Sequence, residues 1–220
     1  MRLLRAALVL FAACACLAAG ARAAPPVAKD ALVREVGPLS VTIDGSSHAL
    51  ESLIVRPPGD GPFPLAVIAH GAPRDVAQRG RFAVSSLGPQ ADEMARRGWV
   101  VAVVLRRGYG TSTCNVAESA GPCGRPNYVA AGREGAKDLR AAIESLRAQP
   151  FIDASRILIV GVSAGGFAAL ATAADPPVGL RAVISFAGGR GSPAPGVVCE
   201  DHALVRAFGA FGETARVPTL

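Results

Sequence analysis

Arg156-Ile-Leu-Ile-Val-Gly161-Val162-Ser163-Ala164-Gly165-Gly166-Phe167 is the stretch on which the reading of this chain turns. A run of apolar, mostly β-branched residues meets G-x-S-x-G and passes at once into an Ala-rich segment, the pattern of a buried strand turning sharply into a helix. So tight a turn leaves no room for Cβ atoms two residues before and two after its apex, a demand that Gly161 and Gly165 meet. The helix opening at Ala164 directs backbone N–H groups and a partial positive charge at Ser163, which favours an oxyanion there. A glycine-rich turn with Ser163 as an ordinary N-cap is the plainer alternative.

Outward from this turn the same grammar repeats. Leu65 to Ala69, Trp99 to Leu105, Ile157 to Val160 and Ala182 to Phe186 are short, nearly continuous apolar runs, as expected of strands buried on both faces of a parallel sheet. Helical patterns lie between them, at Ser86 to Arg97, Tyr128 to Ala148 and Ala164 to Ala174, with Gly98 and Pro150 closing the first two. Near the start, Leu39 to Ile43 and Ala49 to Val55 flank Asp44-Gly45 and predict an antiparallel hairpin at the sheet edge. The fold class is α/β, a mostly parallel sheet with helices on both faces and functional groups at the carboxyl ends of its strands.

Composition narrows the function. With 50% hydrophobic and 18% charged residues among 220, the chain is too apolar for disorder and is sized for one domain. Arg2 and Arg5, the apolar body Ala6 to Ala19 and the small-residue site Ala21-Arg22-Ala23 read as a signal peptide over residues 1–23, leaving 24–220 for the fold. Phe11 and the short apolar segment before Cys14 argue against a lipoprotein signal. Three of the 23 basic residues leave with the signal, so 20 face 17 acidic ones, a net of +3. That balance, with no basic run, excludes nucleic acid as an expected partner, and later apolar runs are too short to span a membrane. Cys114, Cys123 and Cys199 remain in an oxidising compartment; Cys114 and Cys123 flank a short Gly/Pro-rich loop and are expected to bond, restricting the unfolded chain by about 2–3 kcal/mol and leaving Cys199 free. No histidine accompanies them at ligand spacing, so neither metal nor other cofactor is expected.

From about Val41 to Leu220 the chain resembles the α/β-hydrolase superfamily, and within it the dienelactone-hydrolase-like and prolyl-oligopeptidase-like esterases and peptidases. Besides the Ser163 turn, the likeness rests on His70-Gly71 directly after the strand ending at Ala69, and on Arg107-Gly108-Tyr109-Gly110 after the strand ending at Leu105. It implies an α/β-hydrolase fold with Ser163 as nucleophile and an oxyanion hole made by the backbone of Gly71 or Ala72 and of Ala164. Dienelactone hydrolases proper use a cysteine nucleophile, so Ser163 implies serine-ester chemistry on a small ester or a short peptide. The family order places acid and histidine after the serine, and His70 then reads as a hydrogen-bonded loop residue and His48 as a surface one.

Downstream of Ser163 the one histidine is His202, formally the base, although Glu200-Asp201-His202-Ala203 to Phe208 also reads as a short surface helix capped by Asp201. Ala215 to Leu220 looks like the start of a further core strand. In the resembling families that strand leads to the triad acid, and the histidine follows on a later loop. The expectation is a secreted serine hydrolase in a truncated form, its last strands and helices missing. A non-catalytic relic or binding module is the other class, and a prolyl-oligopeptidase-like peptidase the chemical alternative; oligomeric state is left open.

Overall fold

A computed structural model describes residues 26–220; the expected signal peptide lies outside them. Ten elements build the fold: β1 (Val33–Ile43), β2 (Ser46–Arg56), β3 (Phe63–Ala69), α1 (Gly88–Arg96), β4 (Val100–Val104), α2 (Tyr128–Leu146), β5 (Ile152–Val162), α3 (Ala164–Ala174), β6 (Leu180–Phe186) and α4 (Asp201–Thr214). The sheet runs in the order β1-β2-β4-β3-β5-β6. β1, β2 and β4 pair antiparallel in turn, whereas β4, β3, β5 and β6 are mutually parallel. The predicted hairpin is the β1–β2 edge, longer than its apolar pattern indicated. Asp44 and Gly45 both take positive φ there, 50° and 79°, which suits a two-residue turn between twisted strands.

Alternation along the central strands divides the core. Leu65, Val67, Ala69, Val100, Ala102 and Val104 face α2 and α3, where Leu139, Ile143, Leu146 and Ala169 meet them. Ala66, Ile68, Val101, Val103 and Leu105 face α1, where they pack with Ala91 and Ala95. All five residues of β4 are buried, as a strand covered on both sides requires. Helix α4 forms an outer layer: Phe208 and Phe211 bring their rings to 5.0 and 5.5 Å from that of Phe167 on α3. This apolar stripe explains why α4 runs to Thr214 rather than stopping at Phe208. Asp201 is its first residue, not its cap; the position before it is Glu200, with φ 44°.

The closing residues run beside β6. Val183 N–H donates to the Pro218 carbonyl (2.9 Å), Leu220 N–H to Val183 (3.0 Å) and Ser185 N–H to Leu220 (2.7 Å), a parallel pairing that matches the strand-like reading of Ala215 to Leu220.

The disulfide expectation is overturned. Cys123 bonds Cys199, 76 residues away in sequence, and Cys114 is free and exposed, with its Sγ 3.2 Å from His48 Nδ1 on β2. Loop spacing misled because the segment after β4 is drawn two ways: Thr113 N–H donates to the Ala49 carbonyl on β2 (2.9 Å), while Asn127 caps α2 beneath α4. Cys199→Ser should therefore lower the thermal midpoint by about 5–10 °C, and Cys114→Ser should leave it within about 1 °C, as read by thermal denaturation without reductant.

Candidate active site

Ser163 stands alone between β5 and α3 with φ 53° and ψ −121°, a conformation that costs an L residue and persists only where its surroundings dictate it. The dictation is steric and polar. A Cβ on Gly161 would lie 2.3 Å from the Gly165 carbonyl oxygen, and one on Gly165 would lie 2.2 Å from that of Ala69, so only glycine fits at either place. Ser163 N–H donates to Phe186 O (3.0 Å), and its own carbonyl accepts from Phe167 N–H (3.0 Å) and Gly189 N–H (3.1 Å). The apex is thus stitched to β6, to α3 and to the loop after β6.

Gly71, on the loop after β3, packs directly against the apex: a Cβ there would sit 3.2 Å from Ser163 Cβ and 3.7 Å from its Oγ. Ala72, Ser163 and Ala164 line one cleft of about 700 Å³. The N–H of Ala164 opens the first turn of α3, where no earlier helical carbonyl can take it. The expected oxyanion donors are therefore brought beside the expected nucleophile.

The histidines are placed differently. His70 is buried, and both ring nitrogens are spent on the fold: Nδ1 lies 2.5 Å from the Gly71 carbonyl, and Nε2 accepts from Arg106 N–H at 3.0 Å. Burial above all, and then the Arg106 charge, bring its pKa down to about 3, so it is the neutral Nδ1–H tautomer. The His202 side chain is 90% exposed on α4 and does not line the cleft; its nearest acid is its neighbour Asp201, at 3.9 Å. His48 pairs with Cys114. Among the described residues no histidine or carboxylate lines the cleft around Ser163.

Sequence reasoning missed a buried ionic cluster behind the site. Arg106, at the end of β4, donates to both oxygens of Glu118 (Nε 2.7 Å, Nη2 3.1 Å) and to the His70 carbonyl (2.8 Å). Tyr109 OH (2.8 Å) and Arg190 Nη2 (3.0 Å) donate to the same Glu118. Burial pushes the Glu118 carboxyl up, but Arg106 and Arg190 outweigh it and hold the group at about 2. Next to it, Arg107 is fixed to Asp138 of α2 at 2.6 Å. Two arginines closing an apolar strand were the available signal; nothing in the loop sequence distinguishes Glu118 from a solvated acid.

Comparisons with known proteins bear on the fold. The prolyl oligopeptidase family matches residues 90–188. No curated protein matches the chain. Among solved structures, the Pyrococcus furiosus esterase Pf2001 aligns with a TM-score of 0.51 at 17% identity, over 70% of this chain and 51% of that one. A predicted CIB-like hydrolase from Thermoplasma acidophilum gives 0.55 at 14% identity, over 85% and 72%. A Klebsiella pneumoniae protein provisionally named a dienelactone hydrolase gives 0.50 at 17%, over 86% and 85%. The chain has the α/β-hydrolase fold and fits that superfamily. It spans about half the length of the Pyrococcus esterase.

The cluster makes the fold acid-sensitive. Unfolded His70 takes a proton near pH 6.5, whereas folded His70 resists down to about 3, so the unfolded state binds more protons between these values and stability falls with pH across that window. Glu118 adds to the loss lower down: its contribution is complete above about 4.5 and disappears as the pH falls to about 2. The thermal midpoint should decline from pH 7 to 5, before most carboxylates titrate, and His70→Gln should flatten that decline. An unchanged slope in the variant would assign the sensitivity elsewhere.

Proposed function

We propose that the chain carries the nucleophilic and oxyanion-binding part of an exported serine hydrolase that acts on carboxylic esters. In this reading Ser163 Oγ attacks the ester carbonyl, and the N–H groups of Ala72 or Gly71 and of Ala164 hold the tetrahedral oxyanion. The alcohol leaves, and water then releases the acyl group from Ser163. The proton transfers call for an acid and a histidine, and among the described residues none lines the cleft beside Ser163. The observation that carries this reading is the positive φ of Ser163 at a strand-to-helix apex against which Gly71 packs. The match to the prolyl oligopeptidase family favours a second reading, hydrolysis of short peptides by the same serine.

Residues 1–23 would direct export and 24–220 form the hydrolase domain. A disulfide supports export.

A fluorophosphonate probe applied to the protein as its host exports it should modify Ser163 alone, and Ser163→Ala should abolish labelling and reduce ester turnover about a thousandfold or more. Labelling that survives Ser163→Ala refutes the assignment. Residues 24–220 by themselves should hydrolyse p-nitrophenyl acetate little faster than their Ser163→Ala counterpart; brisk turnover that His202→Ala removes would make His202 the base.

A further inference from the structure

Two loops frame the cleft that holds Ser163, and a covalent bond joins them. Cys123, from the loop between β4 and α2, and Cys199, from the segment between β6 and α4, both line the cleft, so their bridge is part of its wall. Cys123 is exposed and Cys199 half-buried. A disulfide in an open wall can be reached by an attacking thiolate, as one sealed in a core cannot.

The segment between β6 and α4 is held in two halves. The half next to β6 needs no bridge: Gly189 N–H donates to the Ser163 carbonyl (3.1 Å), and Arg190 to buried Glu118 (3.0 Å). The outer half is held chiefly through Cys199. Besides the disulfide, the Cys199 carbonyl accepts from Tyr128 OH at the start of α2, and its N–H donates to the Gly191 carbonyl (2.8 Å). Between these points Ser192 Oγ and Val197 N–H both bond the Ala194 carbonyl, at 2.9 and 3.1 Å, within the segment itself. One rim contact, Arg74 Nε to Ser192 Oγ at 3.3 Å, reaches it from outside. Pro193 and Val198 of this half line the cleft, and Val198 is 39% exposed. Its two ends have the backbone of hinges. Gly191 has φ 80°, and Glu200 has φ 44°, a region that a residue with a Cβ leaves with relief of strain. With the bridge cut, the Tyr128 hydrogen bond that remains at Cys199 is one that water can replace.

From this division we propose that the Cys123–Cys199 bond is a redox-operated gate. While it is intact, the wall from Ser192 to Cys199 closes the cleft to bulky esters; when a dithiol reduces it, that wall swings out between Gly191 and Glu200, and the half that supports the Ser163 apex stays in place. A thiolate of the dithiol attacks the exposed Cys123 Sγ, the bond between the sulfurs breaks, and Cys199 leaves as a thiolate. The second thiol then displaces Cys123, so the dithiol ends as a disulfide, its two electrons on the two cysteines and its two protons with them. The inference rests on the serine-hydrolase reading for what passes the gate; the gate itself stands on the two loops.

The test compares two sizes of probe in two redox states. The full exported protein carries Cys114→Ser, so that the free thiol takes no part, and Ser163 is labelled with diethyl fluorophosphate or with the bulkier dicyclohexyl fluorophosphate, before and after reduction by dithiothreitol. Reduction should raise the dicyclohexyl rate about tenfold and hold the diethyl rate within about twofold. Oxidised glutathione should restore the original ratio, and Cys123→Ser should show the reduced pattern without reductant. If that variant does not fold, the reversible reduction of the folded chain keeps the test decisive. Amide exchange should quicken between residues 192 and 199 while Gly189 N–H keeps its protection. Equal changes for the two probes overturn the gate and make the bridge a staple of the whole fold; no change for either overturns it too. If neither probe labels Ser163 in either state, the serine reading fails and exchange alone decides: faster exchange at 192–199 on reduction upholds the gate, and unchanged exchange overturns it.

Discussion

The Glu118 carboxylate, buried between two arginines, is the point to which the loops of this cleft are tied. Arg106 comes from the end of β4, Arg190 from the loop after β6 and Tyr109 from the turn beyond β4, and each donates to the same acid. Through Arg106 the hold extends to the loop after β3, because its backbone N–H and its side chain grip the His70 ring and carbonyl. Three separate carboxyl-end loops thereby share one anchor. Removing one partner from such a buried pair costs about 3–5 kcal/mol, since the charge left behind has no water to turn to. The cluster therefore fixes relative position as much as it adds stability.

Against that electrostatic anchor the apex of Ser163 is a steric device. Gly161 and Gly165 let the β5 end, the α3 start and the Ala69-His70 backbone approach within distances no side chain would permit. The strain at Ser163 is held by main-chain hydrogen bonds on both sides of the residue. Among the described residues its hydroxyl is consequently directed by the backbone and not by a side-chain partner. His70, which its place beside Gly71 makes tempting as a base, is spent on keeping the neighbouring loop in shape.

What could be read from the sequence follows from how local its cause is. Buried strands, Ser163 between its glycines, and the Asp44-Gly45 hairpin are all written in runs of a few residues, and each stands where its pattern placed it. Helix α4 was legible only in part, because its length depends on Phe167, a residue on another element. The Cys123–Cys199 bond and the Arg106–Glu118–Arg190 cluster were not legible, since spacing carries no record of which loops the tertiary fold lays together. Loop proximity in sequence favoured Cys114 for the bridge, but a cross-strand hydrogen bond to β2 turns that stretch away.

Between β6 and the strand-like segment that pairs with it, the chain makes an excursion of some thirty residues that carries Arg190, Cys199 and the whole of α4. Its ends are clamped by the sheet, and its middle is moored by a hydrogen bond to Ser163 and a bridge to Cys123. Such an arrangement makes the roof of the cleft a module, exchangeable in length and side-chain content between fixed moorings. Selectivity can then drift or be grafted there while the register of the central sheet is undisturbed.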